Sequence, residues 1–160
     1  MHIAVLMGGN SPEREISLVS GRAVAAALAE SGHRVEAIEL PDVRAAADLA
    51  VLKDVDVVFP ALHGGEGEDG HLQALLDLLG VPYALSGPLA SGLAMDKAAC
   101  KRIMTGAGIP TPDWLLVAWN GDAGAPVAVE GHALAAGARA LAPGSLSLAH
   151  VQERAARELG

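Results

Sequence analysis

One stretch limits what this chain can fold into more than any other. Val57 to Gly70 reads Val-Val-Phe-Pro-Ala-Leu-His-Gly-Gly-Glu-Gly-Glu-Asp-Gly. The apolar run Val57 to Leu62 has the length of a buried strand, glycines and acids stop it, and apolar residues return at helical spacing from Leu72. Strand, loop and helix in that order form the repeating unit of an open parallel α/β sheet. In such sheets ligands bind where loops leave the carboxyl ends of the strands, and His63 stands at that point.

Glycine at 64, 65, 67 and 70 lets this backbone turn through positive φ and approach a ligand, a pattern shared with phosphate cradles. The charges speak against a phosphate: Glu66, Glu68 and Asp69 would repel one. All three suit the positive end of the helix that follows, and the loop better fits a neutral or cationic group. A capped helix start with a solvated acidic turn accounts for the same spacing, so the motif alone does not choose.

The same alternation extends along the chain. His2 to Met7 reads as a buried strand, and Glu13 to Ser31 as a helix with Ile16, Val19, Ala23 and Ala27 on its apolar face. Arg34 to Leu40 alternates like a second strand, and Asp42 to Leu52 reads as a short helix. Val55 to Leu62 is the third strand, and Asp69 to Leu79 a helix turning Leu72, Leu75, Leu76 and Leu79 to the sheet, with Gly80 as its stop. A short strand over Tyr83 to Ser86 and helices over Pro88 to Ala94 and Lys97 to Gly106 follow. Repeated βα units imply an α/β domain of three layers, a Rossmann-like parallel sheet with helices on both faces. We place its boundary at residues 1 to 118. From Trp119 to Gly144 Gly, Ala and Pro dominate and periodicity fades, as in a surface loop or linker. Residues 145 to 160 then read as a helix carrying Leu148, Val151, Ala155 and Leu159 on one face.

With 160 residues, one domain of this kind buries roughly two thirds of its unfolded surface. The apolar fraction of 51% consists mostly of Ala, Val and Leu, which suits helices packed closely on a sheet. A net charge of −8 offers no footprint for nucleic acid and no basic patch for an anionic membrane. Cys100 stands alone, so no internal disulfide forms, and a reducing compartment fits. The first apolar run, Ile3 to Met7, is too short to span a bilayer and lacks the flanks of a signal peptide. A soluble, cytoplasmic protein is the expectation.

Three blocks in fixed order resemble a known family. They are Gly8-Gly9-Asn10-Ser11-Pro12-Glu13-Arg14-Glu15-Ile16-Ser17, then His63-Gly64-x-x-Gly67-Glu68-Asp69-Gly70-x-Leu72-Gln73-Ala74, then Ser91-Gly92-Leu93-Ala94-Met95-Asp96-Lys97. Together they resemble the amino-terminal, pre-ATP-grasp domain of the D-alanine–D-alanine ligases, over Met1 to about Val117. The resemblance implies an ATP-dependent ligase that joins two D-alanines through an acyl phosphate for peptidoglycan synthesis. It implies ATP and Mg2+ (or Mn2+), bound mostly by a later ATP-grasp portion, so that the present chain alone is expected to be inactive and to hold no metal. D-alanine and ATP are the implied partners, and a homodimer is one of the assemblies left open. Two other readings stay open: a D-alanine–D-lactate type ligase, and a non-catalytic small-molecule-binding or partner module.

Each candidate residue has a structural and a functional reading. Glu13 either completes a capping box with Asn10 or, as the resemblance implies, meets the ammonium of the first D-alanine. His63 is either a hydrogen-bonded strand-end residue or a catalytic, substrate-side group whose near-neutral pKa suits a carboxylate. Lys97 is either a solvated lysine or, by resemblance, a contact to the ATP phosphates. Glu15, Ser17, Glu68 and Asp69 read as scaffold, with Ser17 the one expected to touch substrate, and Cys100 as a small buried residue.

Overall fold

The computed structural model describes residues 1–112, 114–119 and 126–132. The chain divides into two compact units, Met1–Lys97 and Ala98–Gly160.

In the first unit β1 (His2–Gly8) leads through α1 (Arg14–Glu30) to β2 (Arg34–Leu40), and β3 (Val57–Pro60) follows after two short 3₁₀ turns. The strands are parallel in the order β2-β1-β3. β1 is central and apolar from Ile3 to Met7, because both of its faces are covered there. Ile3, Val5 and Met7 pack with Leu18 and Ala25 of α1 on one face. Ala4 and Leu6 pack on the other with Leu40, Val43, Leu52, and with Leu72 and Leu76 of α2 (His71–Leu79). Leu72 and Leu76 are fully buried, a contribution of about 1.5–3 kcal/mol each. This is the expected three-layer α/β arrangement. α3 (Pro88–Met95) follows, and α4 (Lys97–Gly106) begins at the last residue of the unit.

Several local expectations are corrected. α1 buries Ser17, Leu18, Gly21 and Ala25, whereas Ile16 and Val19 are 63% and 68% exposed. The cause is close approach: a Cβ on Gly21 would stand 2.6 Å from the Met7 Cβ, so only glycine lets the helix lie this near β1. The 42–52 segment is not one helix. It forms 3₁₀ turns over Val43–Asp48 and Ala50–Lys53, the first capped by the Asp42 carboxylate, which accepts from the Arg44 and Ala45 amides. Tyr83 makes a single parallel bridge to Val58 in place of a strand over 83–86. Leu79 lies 41% exposed at the end of α2, which Gly80 stops as expected.

The second unit holds the rest of α4 and an antiparallel pair, β4 (Trp114–Trp119) with β5 (Pro126–His132), irregular between Ala118 and Trp119. β5 runs through the segment expected to be a loop. There Val127 and Val129 alternate with small residues, a strand pattern that the surrounding Ala and Gly obscure. Cys100 is half-buried against Met104, with its Sγ 3.8 Å from the Met104 Sδ, rather than buried. The helix expected over 145–160 lies outside the described residues.

Candidate functional site at the carboxyl ends of β1 and β3

The strand order places a topological switch between β1 and β3, because the chain leaves β1 toward α1 on one face and leaves β3 toward α2 on the other. A crevice outside the carboxyl ends of such a strand pair is where open α/β sheets bind ligands. Both glycine-rich loops of the sequence emerge there.

The loop after β1 is held from below by Arg14. Its Nη1 donates to the carbonyls of Gly9 at 2.7 Å and Leu40 at 2.8 Å, and its Nη2 pairs with the Glu39 carboxylate. Ser11 takes the turn role expected of Asn10. Its Oγ accepts from the Glu13 amide at 3.1 Å and donates to the His63 carbonyl at 2.5 Å, tying the first loop to the second. Glu13 itself is the residue before the first turn of α1, and its side chain makes no capping hydrogen bond. The capping box is therefore absent. The Glu13 Oε1 instead faces Gly64, 3.4 Å from where a Cβ would stand. Gly64 has φ +68°, a conformation side chains rarely adopt, and this brings the second loop's backbone against Glu13.

Ser17 lies under both loops. It is fully buried; its Oγ accepts from the Gly8 amide at 2.8 Å and donates to the Ala61 carbonyl at 2.7 Å. With its hydroxyl so engaged, Ser17, the residue expected to touch substrate, pins the two strand ends together.

In the second loop each acid has its own partner. Glu66 pairs with Arg44 at 3.4 Å, Glu68 stands 3.6 Å from the Nδ1 of His63, and Asp69 bonds the His71 Nδ1 at 2.6 Å while accepting from the His71 amide. The hydrogen bond to Asp69 and then its charge hold the His71 pKa above the ordinary 6.5. Glu68 also lines a cleft of about 240 Å³ with Gln73, Leu85, Ser86, Ser91 and Met95. The Gln73 amide nitrogen donates to the Gly67 carbonyl from inside the core, fixing the loop's height above α2.

Glu13 thus faces Gly64, the residue after His63, while the His63 ring meets Ser20 and Glu68. Lys97 is exposed at the end of α3, where its Nζ donates to the Ala94 carbonyl at 3.2 Å, the usual service of a cation to a helix end. No three His, Cys, Asp or Glu side chains are gathered to hold a metal among the described residues. Nor is any described helix long and apolar enough to cross a membrane.

Sequence reasoning missed Arg14, Ser11 and Ser20. Arg14 carried a signal, since a cation opening a helix opposes the dipole and so needs another partner. Ser20 carried another: it stands one turn beyond Ser17 beside the buried stripe, where its Oγ meets the His63 Nε2 at 2.8 Å.

Comparisons with known proteins converge on one family. Residues 42–86, including the acidic loop, match the family model described as "D-ala D-ala ligase N-terminus". The D-alanine–D-alanine ligase of Moorella thermoacetica is 56% identical over 123 residues, 76% of this chain and 38% of the relative. That of Halorhodospira halophila is 57% identical over 110 residues, 69% of this chain and 35% of the relative. The crystal structure of the Bacillus anthracis ligase complexed with ATP superposes with TM-score 0.66 at 38% identity, over 77% of this chain and 43% of that one. The chain spans little more than a third of the length of these curated relatives. It belongs to the D-alanine–D-alanine ligase family, of which it carries the amino-terminal part.

Proposed function

We propose that this chain supplies the subsite for the first D-alanine in an ATP-dependent D-alanine–D-alanine ligase of peptidoglycan precursor synthesis, acting in the cytoplasm. In that reaction ATP phosphorylates the carboxylate of the first D-alanine. The amine of the second then attacks the acyl carbon, and phosphate leaves. Such transfer rests on positioning and charge stabilisation. The part of these residues is to fix the first amino acid: Glu13 receives its ammonium, and His63 lies on the carboxylate side. Lys97, at the end of α3, reaches the ATP phosphates when its Nζ leaves the Ala94 carbonyl.

The observation that carries this reading is the Glu13 carboxylate. It stands at the switch point, against Gly64 and its neighbour His63, and has no hydrogen-bond or ion-pair partner among the described residues. A carboxylate left open where a cation would arrive is what an amino-acid subsite requires.

The test is a chimera in which residues 1 to 117 of this chain replace the matching segment of the Moorella thermoacetica ligase. It should release ADP in a D-alanine-dependent manner, whereas the 160-residue chain alone should release none. In the chimera Lys97→Met should raise the KM for ATP more than that for D-alanine, since it removes a charge and keeps the apolar stem. A folded chimera without D-alanine-dependent turnover would overturn the reading.

A further inference from the structure

His63 faces a polar group at each ring nitrogen, one at hydrogen-bond distance and one just beyond it, and the two together determine which nitrogen carries the proton. Its Nε2 lies 2.8 Å from the Ser20 Oγ, and its Nδ1 lies 3.6 Å from the Glu68 Oε1. The Ser20 Oγ is also 3.0 Å from the Ile16 carbonyl and 3.2 Å from the Ser17 carbonyl. A hydroxyl has one proton to give.

Two arrangements satisfy that limit. In the first, Ser20 donates to a helix carbonyl and the ring donates from Nε2. The Nδ1 lone pair then faces the Glu68 carboxylate, which sets two electron-rich groups against each other. In the second, Ser20 donates to Nε2 and the ring carries its proton on Nδ1, pointing at the carboxylate. Only the second gives both nitrogens an attractive partner, and which nitrogen is protonated is set by the bond the other makes.

We propose that Ser20 and Glu68 are positioning residues that hold neutral His63 as the Nδ1–H tautomer, so that it meets a ligand as a hydrogen-bond donor. The two contacts are unequal. The Ser20 contact has full hydrogen-bond length, while the Glu68 contact exceeds it, and the His63 and Glu68 side chains are 34% and 40% exposed. An arriving acceptor oxygen at ordinary distance therefore competes with Glu68 for the Nδ1 proton and leaves the Nε2 bond to Ser20 in place. What the donor itself selects is an acceptor oxygen, and in the proposed ligase that oxygen belongs to the carboxylate of the first D-alanine. That last step rests on the reading of His63 as facing the first D-alanine; the tautomer itself does not.

The experiment is long-range ¹H–¹⁵N correlation of the histidine rings in the 160-residue chain at mildly alkaline pH, with the His63 signals identified by their loss in His63→Gln. Wild type should show a protonated Nδ1 and an unprotonated Nε2. Ser20→Ala removes the donor and should move the ring toward the Nε2–H form that free imidazole prefers, and Ser20→Thr, which keeps a hydroxyl, should restore Nδ1–H. A wild-type ring protonated on Nε2 overturns the proposal without any variant, and so does a folded Ser20→Ala that leaves the tautomer unchanged. The tautomer is read without substrate, so its failure is separate from failure of the ligase reading, which the chimera decides. In the chimera Ser20→Ala should raise the KM for D-alanine several-fold with a smaller change in kcat. An unchanged KM beside a shifted tautomer removes the carboxylate step alone.

Discussion

The loops leaving β1 and β3 both carry glycine and acid, yet they use their charges in opposite ways. After β1 the backbone is held by a cation, Arg14, through the Gly9 and Leu40 carbonyls, and the Glu13 carboxylate has no partner among the described residues. After β3 the backbone is held by the acids themselves, with Glu66 on Arg44, Glu68 at His63 and Asp69 on His71. The difference teaches that three acids in a glycine loop do not mark three ligand contacts. The carboxylate available to an ammonium is the one in the loop whose geometry another residue already supplies.

Ser17 joins the two loops, so its loss should have the largest effect. Ser17→Ala leaves the Gly8 amide and the Ala61 carbonyl without their partner in a fully buried place. The expected cost is about 3 kcal/mol of folding stability, since unsatisfied buried groups lose about 1–3 kcal/mol each. It is read as a lower denaturant midpoint at unchanged slope. A loss below about 0.5 kcal/mol would mean that water replaces the pin and that the loops stand independently.

The comparison is sharpened by making one change in each loop. Glu13→Gln keeps the side chain's shape, and with no capping bond to lose it should leave the melting temperature within about a degree of wild type. In the chimera the KM for the first D-alanine should rise about ten- to a hundredfold, the range of one charge-assisted bond of about 1.5–3 kcal/mol. Glu66→Gln removes a charge whose partner Arg44 is largely exposed, and should leave both D-alanine constants nearly unchanged. Equal effects from the two substitutions would erase the distinction between the loops.

Arg14→Met should cost less stability than Ser17→Ala, about 1.5 kcal/mol. The Arg14 side chain is one-third exposed, so water can replace part of what it gives to the two carbonyls, and the pair with half-exposed Glu39 adds little. Chemical denaturation of variant and wild type in parallel checks the figure.

What could be read from the sequence divides along a similar line. α2 was legible because Leu72 and Leu76 at helical spacing are large, and burying them dominates every other term. α1 was not, because its buried stripe is Ser17, Leu18, Gly21 and Ala25, chosen by close packing and a buried hydroxyl, while Ile16 and Val19 point outward. Apolar periodicity sees area and is blind to approach distance. The site shows the same split. The positions of Glu13 and His63 at strand ends were legible, whereas the contacts of Ser20 and Arg14 are made to residues 43 and 26 positions away, which no local pattern contains.

The smallest expected effect concerns the commitment of Asp69. The hydrogen bond from His71 and the nearby carboxylate charge favour the imidazolium and raise its pKa from 6.5, although the side chain is well exposed. A group whose folded pKa lies above its unfolded one adds stability that is complete below the unfolded value and disappears as pH rises through the folded value. The His71–Asp69 pair should therefore help the fold below about pH 6.5 and stop helping once the folded midpoint is passed. Asp69→Asn tests the charge while keeping an oxygen to accept from the His71 amide, so the start of α2 stays capped. Titrated by NMR, His71 should show a midpoint above 6.5 in wild type and one close to that value in the variant. The stability gap between the two proteins should narrow as pH rises across that interval. A wild-type midpoint at or below 6.5 would show that Asp69 is left open in solution, and the β3 loop would then hold an unengaged carboxylate just as the β1 loop does.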